Sequence, residues 1–229
     1  AVDRPETPSS ERPYLTPSEH AALVETIRTD YEERLAQGGQ AGIKETENIW
    51  VLPPLQFGTA TGLRPSKMKQ LKVGDVDFEA RTLSVPARKD EPEETDRTIP
   101  LCQMALEAAR EAKTGKRNTD YLFGGTRSAQ MDTRRLSRTV KGYLREAGVR
   151  PDLNFTDCTR HTCASWLMKL GYSPMDLMRL FGYATMKSTE PYTHLSPSRE
   201  ELRQEPSSFD EAFAEATTEI GFFPPAHWM

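Results

Sequence analysis

Residues 159–171 read TRHTCASWLMKLG, and their apolar side chains recur at helical spacing, which predicts one helix over 157–170. Far upstream, TGLRPSKMKQL (61–71) places a proline directly after a glycine-containing turn, where a short helix over 65–71 is expected to begin. Downstream, LFGYATMKSTEPYTHLSP (180–197) contains a second glycine turn, followed by a short predicted helix at 186–191. These three segments predict helices and glycine turns, and the other predicted elements lie before, between and after them.

The rest of the chain divides into further helices and one region with a different period. Thr16 and Glu19 form a capping box before the first helix, and Pro53-Pro54 must kink the second helix or delay its start. From Val73 to about 101 the apolar spacing is typical of short strands joined by turns. The expected fold class is therefore α+β, mostly α, with a small antiparallel sheet at about 73–101. The additional helices are predicted over 17–36, 45–60, 101–113, 132–147, 174–181 and 207–219.

Composition restricts the class of protein. A chain of 229 residues can bury a hydrophobic core without disulfide or metal staples. Its three cysteines form no Cys-x-x-Cys pair, which is typical of a reducing compartment and excludes a disulfide scaffold and a zinc ribbon. The longest uncharged run, 48–63, is short and broken by two prolines, so no membrane-spanning segment is expected. With no basic-then-apolar signal segment at the start, a cytoplasmic location is predicted.

The net charge of −4 hides a basic centre between acidic flanks, because residues 51–196 carry 23 basic and 17 acidic side chains. Within the predicted helix over 132–147, spacing places most of the basic residues on one face, away from Leu136 and Val140. This face is predicted to follow the backbone of duplex DNA, and the alternative is a solvated basic helix. The candidate DNA-contacting residues are Arg127, Arg134, Arg135, Arg138, Lys141 and Arg145.

Taken in order, the three segments quoted above and a strand–turn–strand around Lys89 resemble the catalytic domain of the tyrosine recombinase (phage integrase) family. The resemblance spans about 15–197, with 1–14 expected to be a linker or arm and 198–229 a tail that contains an amphipathic helix. It implies an enzyme, a DNA strand transferase that cuts and rejoins duplex DNA at specific sites through a 3′-phosphotyrosyl intermediate. It also implies that neither a metal ion nor a cofactor takes part.

The chemistry of such an enzyme needs a nucleophile that preserves the phosphodiester energy as an ester, and a tyrosine phenol meets this need. Fixed guanidinium groups stabilise the charge that grows on the two non-bridging oxygens, and a lysine can protonate the leaving 5′ oxygen. By resemblance, Tyr192 is the nucleophile, and Arg64 and Arg160 are the phosphate clamps. Lys89 is the general acid, although the neighbouring Arg88 leaves that assignment open by one position.

Three positions depart from the family pattern. Asp157 stands where a histidine would donate to the phosphate and relay the proton of the tyrosine; it can instead cap the helix, for which Thr156 is an equal candidate. Tyr183 replaces a histidine or tryptophan, but its hydroxyl can still donate one hydrogen bond. Lys67 replaces an acidic residue and either contacts DNA or faces solvent. These changes weaken the support of the site and leave its clamps and nucleophile intact.

The resemblance further implies a mobile-element protein that acts on duplex DNA near the nucleoid, as a homotetramer assembled through the C-terminal helix. The tail helix over 207–219 either docks into a neighbouring subunit or returns to its own domain, and the apolar segment 222–228 is expected to be exposed. Two other functions are left open. One is a catalytically impaired DNA-binding or assembly relative with the same fold, which Asp157 pointing at the phosphate pocket would favour. The other is a protein-interaction module built on the tail.

Overall fold

The computed structural model describes residues 12–38, 49–86, 97–124, 130–196, 216–218 and 221–222. Within these ranges the strands are β1 (Val76–Asp77), β2 (Thr82–Val85) and β3 (Arg97–Pro100). The helices are α1 (Pro17–Gly38), α2 (Leu52–Thr61), α3 (Pro65–Met68), α4 (Gln103–Lys113), α5 (Thr133–Glu146), α6 (Thr162–Lys169) and α7 (Pro174–Phe181). None of these helices combines the length and apolar character needed to cross a bilayer. The predicted α+β class, mostly helical with a small antiparallel sheet, is confirmed.

The first two helices begin where their local chemistry allows. Thr16 Oγ1 accepts from the backbone N–H of Glu19 at 3.2 Å, and the Glu19 carboxylate accepts from the backbone N–H of Thr16 at 2.7 Å, so the predicted capping box opens α1. The second helix begins at Leu52, after a 3-10 turn, and not at 45 as predicted. Pro53-Pro54 accounts for the delay, because proline fits the first turn of a helix and disrupts its interior.

Two other predicted elements differ in extent. The helix predicted over 65–71 ends at Met68, and the helix predicted over 186–191 is replaced by two 3-10 segments, Met186–Ser188 and Glu190–Leu195. A 3-10 helix is typical of such short connecting segments, where too few residues are available to form an α-helix.

The sheet has the order β1-β2-β3 with antiparallel pairing throughout, and Leu83 lies opposite both Val76 and Ile99. Val73 lies in a 3-10 turn and not in the strand predicted to start there. Its backbone N–H donates to the Asp120 carbonyl at 3.0 Å, which holds the turn against the segment after α4.

The core centres on Trp166 of α6, which is fully buried. Its indole Nε1–H donates to the Leu15 carbonyl at 2.7 Å, and the backbone N–H of Leu15 donates to Thr162 Oγ1 at 3.0 Å. On another side, the Trp166 ring meets Phe222 edge-on, with ring centroids 4.8 Å apart. One helix therefore fixes both the start of the described chain and its end.

The described part of the tail packs against its own domain. Residues 216–218 form a helical turn, and the Gly221 carbonyl accepts from the backbone N–H of Met104 at 2.9 Å. Phe222 is only 2% exposed, so the expectation that 222–228 is exposed is wrong for this residue. The cause is the edge-on contact with Trp166, which buries the ring. The remainder of 207–219 and of 222–228 lies outside the described residues.

Candidate active site

Arg160 lies in a π-helical segment, Asp157–His161, that leads directly into α6. It is 4% exposed, and its guanidinium is held from two sides: Nη1–H donates to the Gly62 carbonyl at 2.6 Å, and Nε–H donates to the Tyr183 hydroxyl at 3.2 Å. Nη2 is buried and has no hydrogen-bond partner among the described residues. Because a buried charged donor without an acceptor is costly, this atom marks a position suited to an anion.

Gly62 brings the two predicted clamps together. It ends α2 in the left-handed conformation, with φ of 63°, and a Cβ atom at this position would collide with the Phe181 ring at the end of α7. Glycine therefore allows the ends of α2 and α7 to meet, with the Gly62 carbonyl facing Arg160. Arg64 follows two residues later, so the same turn positions both arginines.

The two arginines meet around one aromatic ring. The Cζ atom of Arg160 lies 4.5 Å from the centroid of the Tyr183 ring, and that of Arg64 lies 5.8 Å from it. Burial lowers the pKa of Arg160, Tyr183 opposes this shift, and the charge of the exposed Arg64 adds to it. The two positive charges therefore repel each other, and a phosphate that accepts hydrogen bonds from both would relieve the repulsion.

Tyr192, the predicted nucleophile, lies in the 3-10 segment Glu190–Leu195 and is 2% exposed. Its hydroxyl is in hydrogen-bond contact with Nδ1 of His161. Burial raises the pKa of Tyr192, the neighbouring Tyr183 raises it further, and Arg160 lowers it. The structure thus brings Tyr192, Tyr183, Arg160 and Arg64 into one cluster.

Asp157 is engaged by the start of its own helix. Its Oδ2 accepts from the backbone N–H of Asn154 at 2.9 Å, and its Oδ1 lies 3.8 Å from Nε2 of His161. The Asn154 side chain accepts from the backbone N–H groups of Thr156 and Asp157, at 2.8 and 3.3 Å. Asn154 is therefore the N-cap, and the prediction that Asp157 or Thr156 caps the helix is wrong. The reason is that Asn154 and Asp157 together form a reciprocal capping box.

His161 joins the site although the sequence motifs did not select it. The available signal was its spacing, because it follows Asp157 by four residues, which places two helical side chains on one face. Burial lowers the pKa of His161, and the Asp157 carboxylate opposes that shift. The imidazole is therefore mostly neutral near pH 7 and has a nitrogen lone pair available as a base.

Lys67 is buried, in contrast to the prediction that it contacts DNA or faces solvent. Its Nζ donates to the Pro86 carbonyl at 3.3 Å, because α3 packs next to the end of β2. At the start of β3, Arg97 Nη2–H donates to the Phe181 carbonyl at 3.3 Å. Lys89 lies between these two anchors, in 87–96, outside the described residues, so its place at the site stays a prediction.

Helix α5 has an apolar face and a basic face, as its spacing predicts. Asp132 caps it by accepting from two backbone N–H groups, each at 3.0 Å, and the Tyr143 hydroxyl donates to Asp30 of α1 at 2.6 Å. Arg127 lies outside the described residues. Contact of the basic face with DNA stays a prediction for its described members, the exposed Arg134, Arg135, Arg138 and Arg145 and the half-buried Lys141.

The sequence pattern of the Phage integrase family matches residues 14–199. The chain belongs to this family. A similar member is the tyrosine recombinase XerC of Bifidobacterium longum (strain DJO10A), with 29% identity over an alignment of 176 positions that covers 71% of this chain and 46% of XerC. This integrase-family chain thus spans about half the length of that relative.

Two solved structures show how the integrase-family fold is shared. XerA recombinase matches with a TM-score of 0.61 at 20% identity, over 92% of this chain and 66% of XerA. XerH, a site-specific recombinase bound to a palindromic difH substrate in a post-cleavage complex, matches with a TM-score of 0.62 at 16% identity, over 87% of this chain and 54% of XerH. At these identities the likeness establishes the fold, that of an integrase-type catalytic domain.

Proposed function

We propose that this chain is the catalytic part of a site-specific DNA recombinase, which cuts and rejoins duplex DNA through a 3′-phosphotyrosyl intermediate. The observation that carries the proposal is the buried Arg160 guanidinium, with two N–H groups fixed by Gly62 and Tyr183 and with Nη2 lacking an acceptor among the described residues. Arg64 and the phenol of Tyr192 lie around it. Fixed cations beside a phenol suit a phosphodiester under nucleophilic attack.

Each residue then has a defined role. The Tyr192 oxygen attacks phosphorus and forms the ester, while Arg64 and Arg160 donate to the non-bridging oxygens. The strand that leaves takes a proton from Lys89 and ends in a free 5′-hydroxyl. Attack by the 5′-hydroxyl of another strand reverses the steps, so one phosphodiester is exchanged for another and no net bond energy is lost.

The surroundings of Asp157 favour an active enzyme over the impaired relative. An anion aimed at the phosphate would repel it. The described contacts of the Asp157 carboxylate are instead with the Asn154 backbone and with His161. Tyr183, the other altered position, keeps a hydroxyl in the cluster and supports Arg160 with it.

The assembly around this unit is also part of the proposal. Residues 15–197 would form the catalytic unit, with 1–14 as an arm, and would act on duplex DNA as a homotetramer in the cytoplasm, near the nucleoid. The Tn1549 transposon integrase, which shares the fold, is in complex with transposon right end DNA in its solved structure, and the basic face of α5 is suited to such a polyanion. The tail at 198–229 would link the subunits, while Phe222 packs against Trp166 of its own chain.

The experiment uses a library of nicked duplexes with a random region, so that the target sequence need not be known. Cleavage next to the nick releases a short fragment that diffuses away, which traps the protein on the DNA as a covalent adduct. Adducts that survive denaturing detergent are collected and sequenced. We expect the native chain to form an adduct on a restricted set of sequences, and Tyr192→Phe, which removes only the nucleophilic oxygen, to form none.

The matched control is Tyr172→Phe, because Tyr172 is also a buried tyrosine and follows α6, outside the segments that carry Arg64, Arg160, Tyr183 and Tyr192. This variant should form adducts like the native chain. Salt-sensitive DNA binding by the native chain without any adduct would overturn the proposal in favour of the impaired relative. Absence of DNA binding even at low salt would instead favour a protein-interaction module.

A further inference from the structure

The side chains of Asp157, His161 and Tyr192 form a continuous line inside the site. Nδ1 of His161 contacts the Tyr192 hydroxyl, and Nε2 on the other side of the ring lies 3.8 Å from Oδ1 of Asp157. The π-helical geometry holds this line in place, because the backbone N–H and the hydroxyl of Thr162 both donate to the Asp157 carbonyl. An imidazole between a hydroxyl and a carboxylate is arranged to accept a proton on one nitrogen while the carboxylate stabilises the resulting cation.

We propose that His161 is the base that takes the proton of Tyr192, and that Asp157 positions His161 and stabilises its protonated form. This inference rests on the proposed strand-transfer function. The histidine that the family resemblance implies at position 157 is absent, and the imidazole stands four residues later, supported by the aspartate that replaced it. His161 touches the reacting oxygen and is therefore a catalytic residue, whereas Asp157 acts through His161 and is a positioning residue.

The proton balance of the step is complete. The proton of the Tyr192 hydroxyl moves to Nδ1 of His161 as the phenol oxygen forms its bond to phosphorus and the bond to the 5′ oxygen breaks. The general acid supplies the proton that the leaving 5′ oxygen needs. On rejoining, the phosphorus–phenol bond breaks and the His161 imidazolium returns its proton to the Tyr192 oxygen.

The charges around the imidazole suit this role. Burial lowers the pKa of His161; Arg12 and Arg160 lower it as well, and Asp157 raises it. A neutral imidazole is therefore ready to accept a proton near pH 7. The raised pKa of Tyr192 means that the free phenol keeps its proton, so transfer occurs as attack proceeds and the phenol oxygen becomes more acidic.

The first test measures the resting proton positions in the chain without DNA. With ¹⁵N-labelled histidine, a long-range proton–nitrogen NMR spectrum reports the tautomer of each of the four histidines, and His161→Gln assigns the signal of interest. We expect the tautomer with the proton on Nε2, which leaves Nδ1 to accept from the Tyr192 hydroxyl. Tyr192→Phe should then shift the Nδ1 resonance. A proton on Nδ1 would overturn the proposal.

The second test measures the rate of adduct formation on a duplex selected from the library, with either oxygen or sulfur as the leaving 5′ atom. His161→Gln should lower the rate about 10²–10³-fold with both leaving atoms, since the lost group acts on the nucleophile. Lys89→Ala should lower the rate with oxygen only, because a thiolate leaves without a proton. His194→Gln, an exposed histidine in the same 3-10 segment as Tyr192, is the matched control and should keep the native rate.

The pH dependence separates a positioning role for Asp157 from a merely structural one. The native rate should fall in acid as His161 becomes protonated, and this acidic limb should disappear in His161→Gln. Asp157→Asn should lower the rate about tenfold and move the limb to lower pH, because removal of the carboxylate removes the interaction that raises the pKa of His161. A structural defect would lower the rate at every pH and leave the limb where it was.

The outcomes separate this inference from the proposed function. An adduct from the native chain together with an unchanged rate in His161→Gln would leave strand transfer standing and overturn the role of His161. If the native chain forms no adduct, the proposed function fails, and the role of His161 as a base for strand transfer fails with it.

Discussion

The Arg160 guanidinium and the basic face of α5 carry the same charge in opposite surroundings. Arg160 is buried, and two of its N–H groups are fixed by Gly62 and Tyr183. On α5, the arginines lie on the exposed face of a helix whose other face, with Leu136 and Val140, is in the core. The first arrangement orients one cation in a buried site, and the second spreads several cations over a surface in contact with water.

This difference separates catalysis from attraction. A fixed and desolvated donor acts strongly on charge that develops next to it, and its effect depends on geometry. Mobile surface cations attract DNA through their number, and salt screens their attraction to charges more than about 8–10 Å away. We therefore expect changes at Arg160 to alter the chemical step and changes on α5 to alter binding.

The largest effect is expected from Arg160→Lys, which keeps the charge and removes the planar fork. The three N–H groups of lysine share one nitrogen atom, which cannot occupy the positions of Nε, Nη1 and Nη2 at once, so adduct formation should slow at least about 10²-fold. The measurement is single-turnover adduct formation at saturating protein, which removes any contribution from weaker binding.

Arg110→Lys is the matched control for this change, because Arg110 is exposed on α4. It should keep the native rate. A native rate in Arg160→Lys would show that charge alone is sufficient, and the distinction between the two regions would then be lost.

A smaller effect is expected from Tyr183→Phe, which keeps the ring between the arginines and removes only the hydroxyl. The buried Nε–H of Arg160 then loses its acceptor, which should lower the free energy of unfolding by about 1–3 kcal/mol. Chemical denaturation measures this change. An unchanged free energy of unfolding would mean that water replaces the hydroxyl.

Most of the fold could be predicted because its signals are local. The capping box of Thr16 and Glu19 and the late start of α2 at Pro53-Pro54 depend on neighbours within a few residues. The N-cap Asn154 has the same kind of signal, an Asn-x-x-Asp pattern over 154–157. Helix starts can thus be predicted from sequence when both members of the capping box are considered.

The site could be predicted only in part, since its support comes from distant residues. The order of motifs indicated Arg64, Arg160 and Tyr192, but the contact between Arg160 and the Gly62 carbonyl joins residues 98 positions apart, which no periodicity reports. The burial of Lys67 against Pro86 likewise depends on how α3 packs on the sheet. The motifs did not indicate His161, because a histidine next to an arginine predicts no particular role by itself. Its role depends on the contact with Tyr192, which only the fold provides.

The smallest effect on chemistry and stability is expected from the double variant Arg134→Gln, Arg138→Gln on α5. Both side chains are exposed, so the free energy of unfolding should change by less than about 0.5 kcal/mol. The rate of adduct formation at saturating protein should stay at the native value. If both contact phosphates, the slope of log affinity against log salt should fall in magnitude by about two, since each neutralised phosphate contributes about 0.9. Fluorescence anisotropy with a labelled duplex, over a series of salt concentrations, measures the slope.

Arg110→Gln, which removes one exposed charge elsewhere, should leave the slope as it is. An unchanged slope in the double variant would identify the α5 face as a solvated surface and place the DNA backbone on another part of the basic centre.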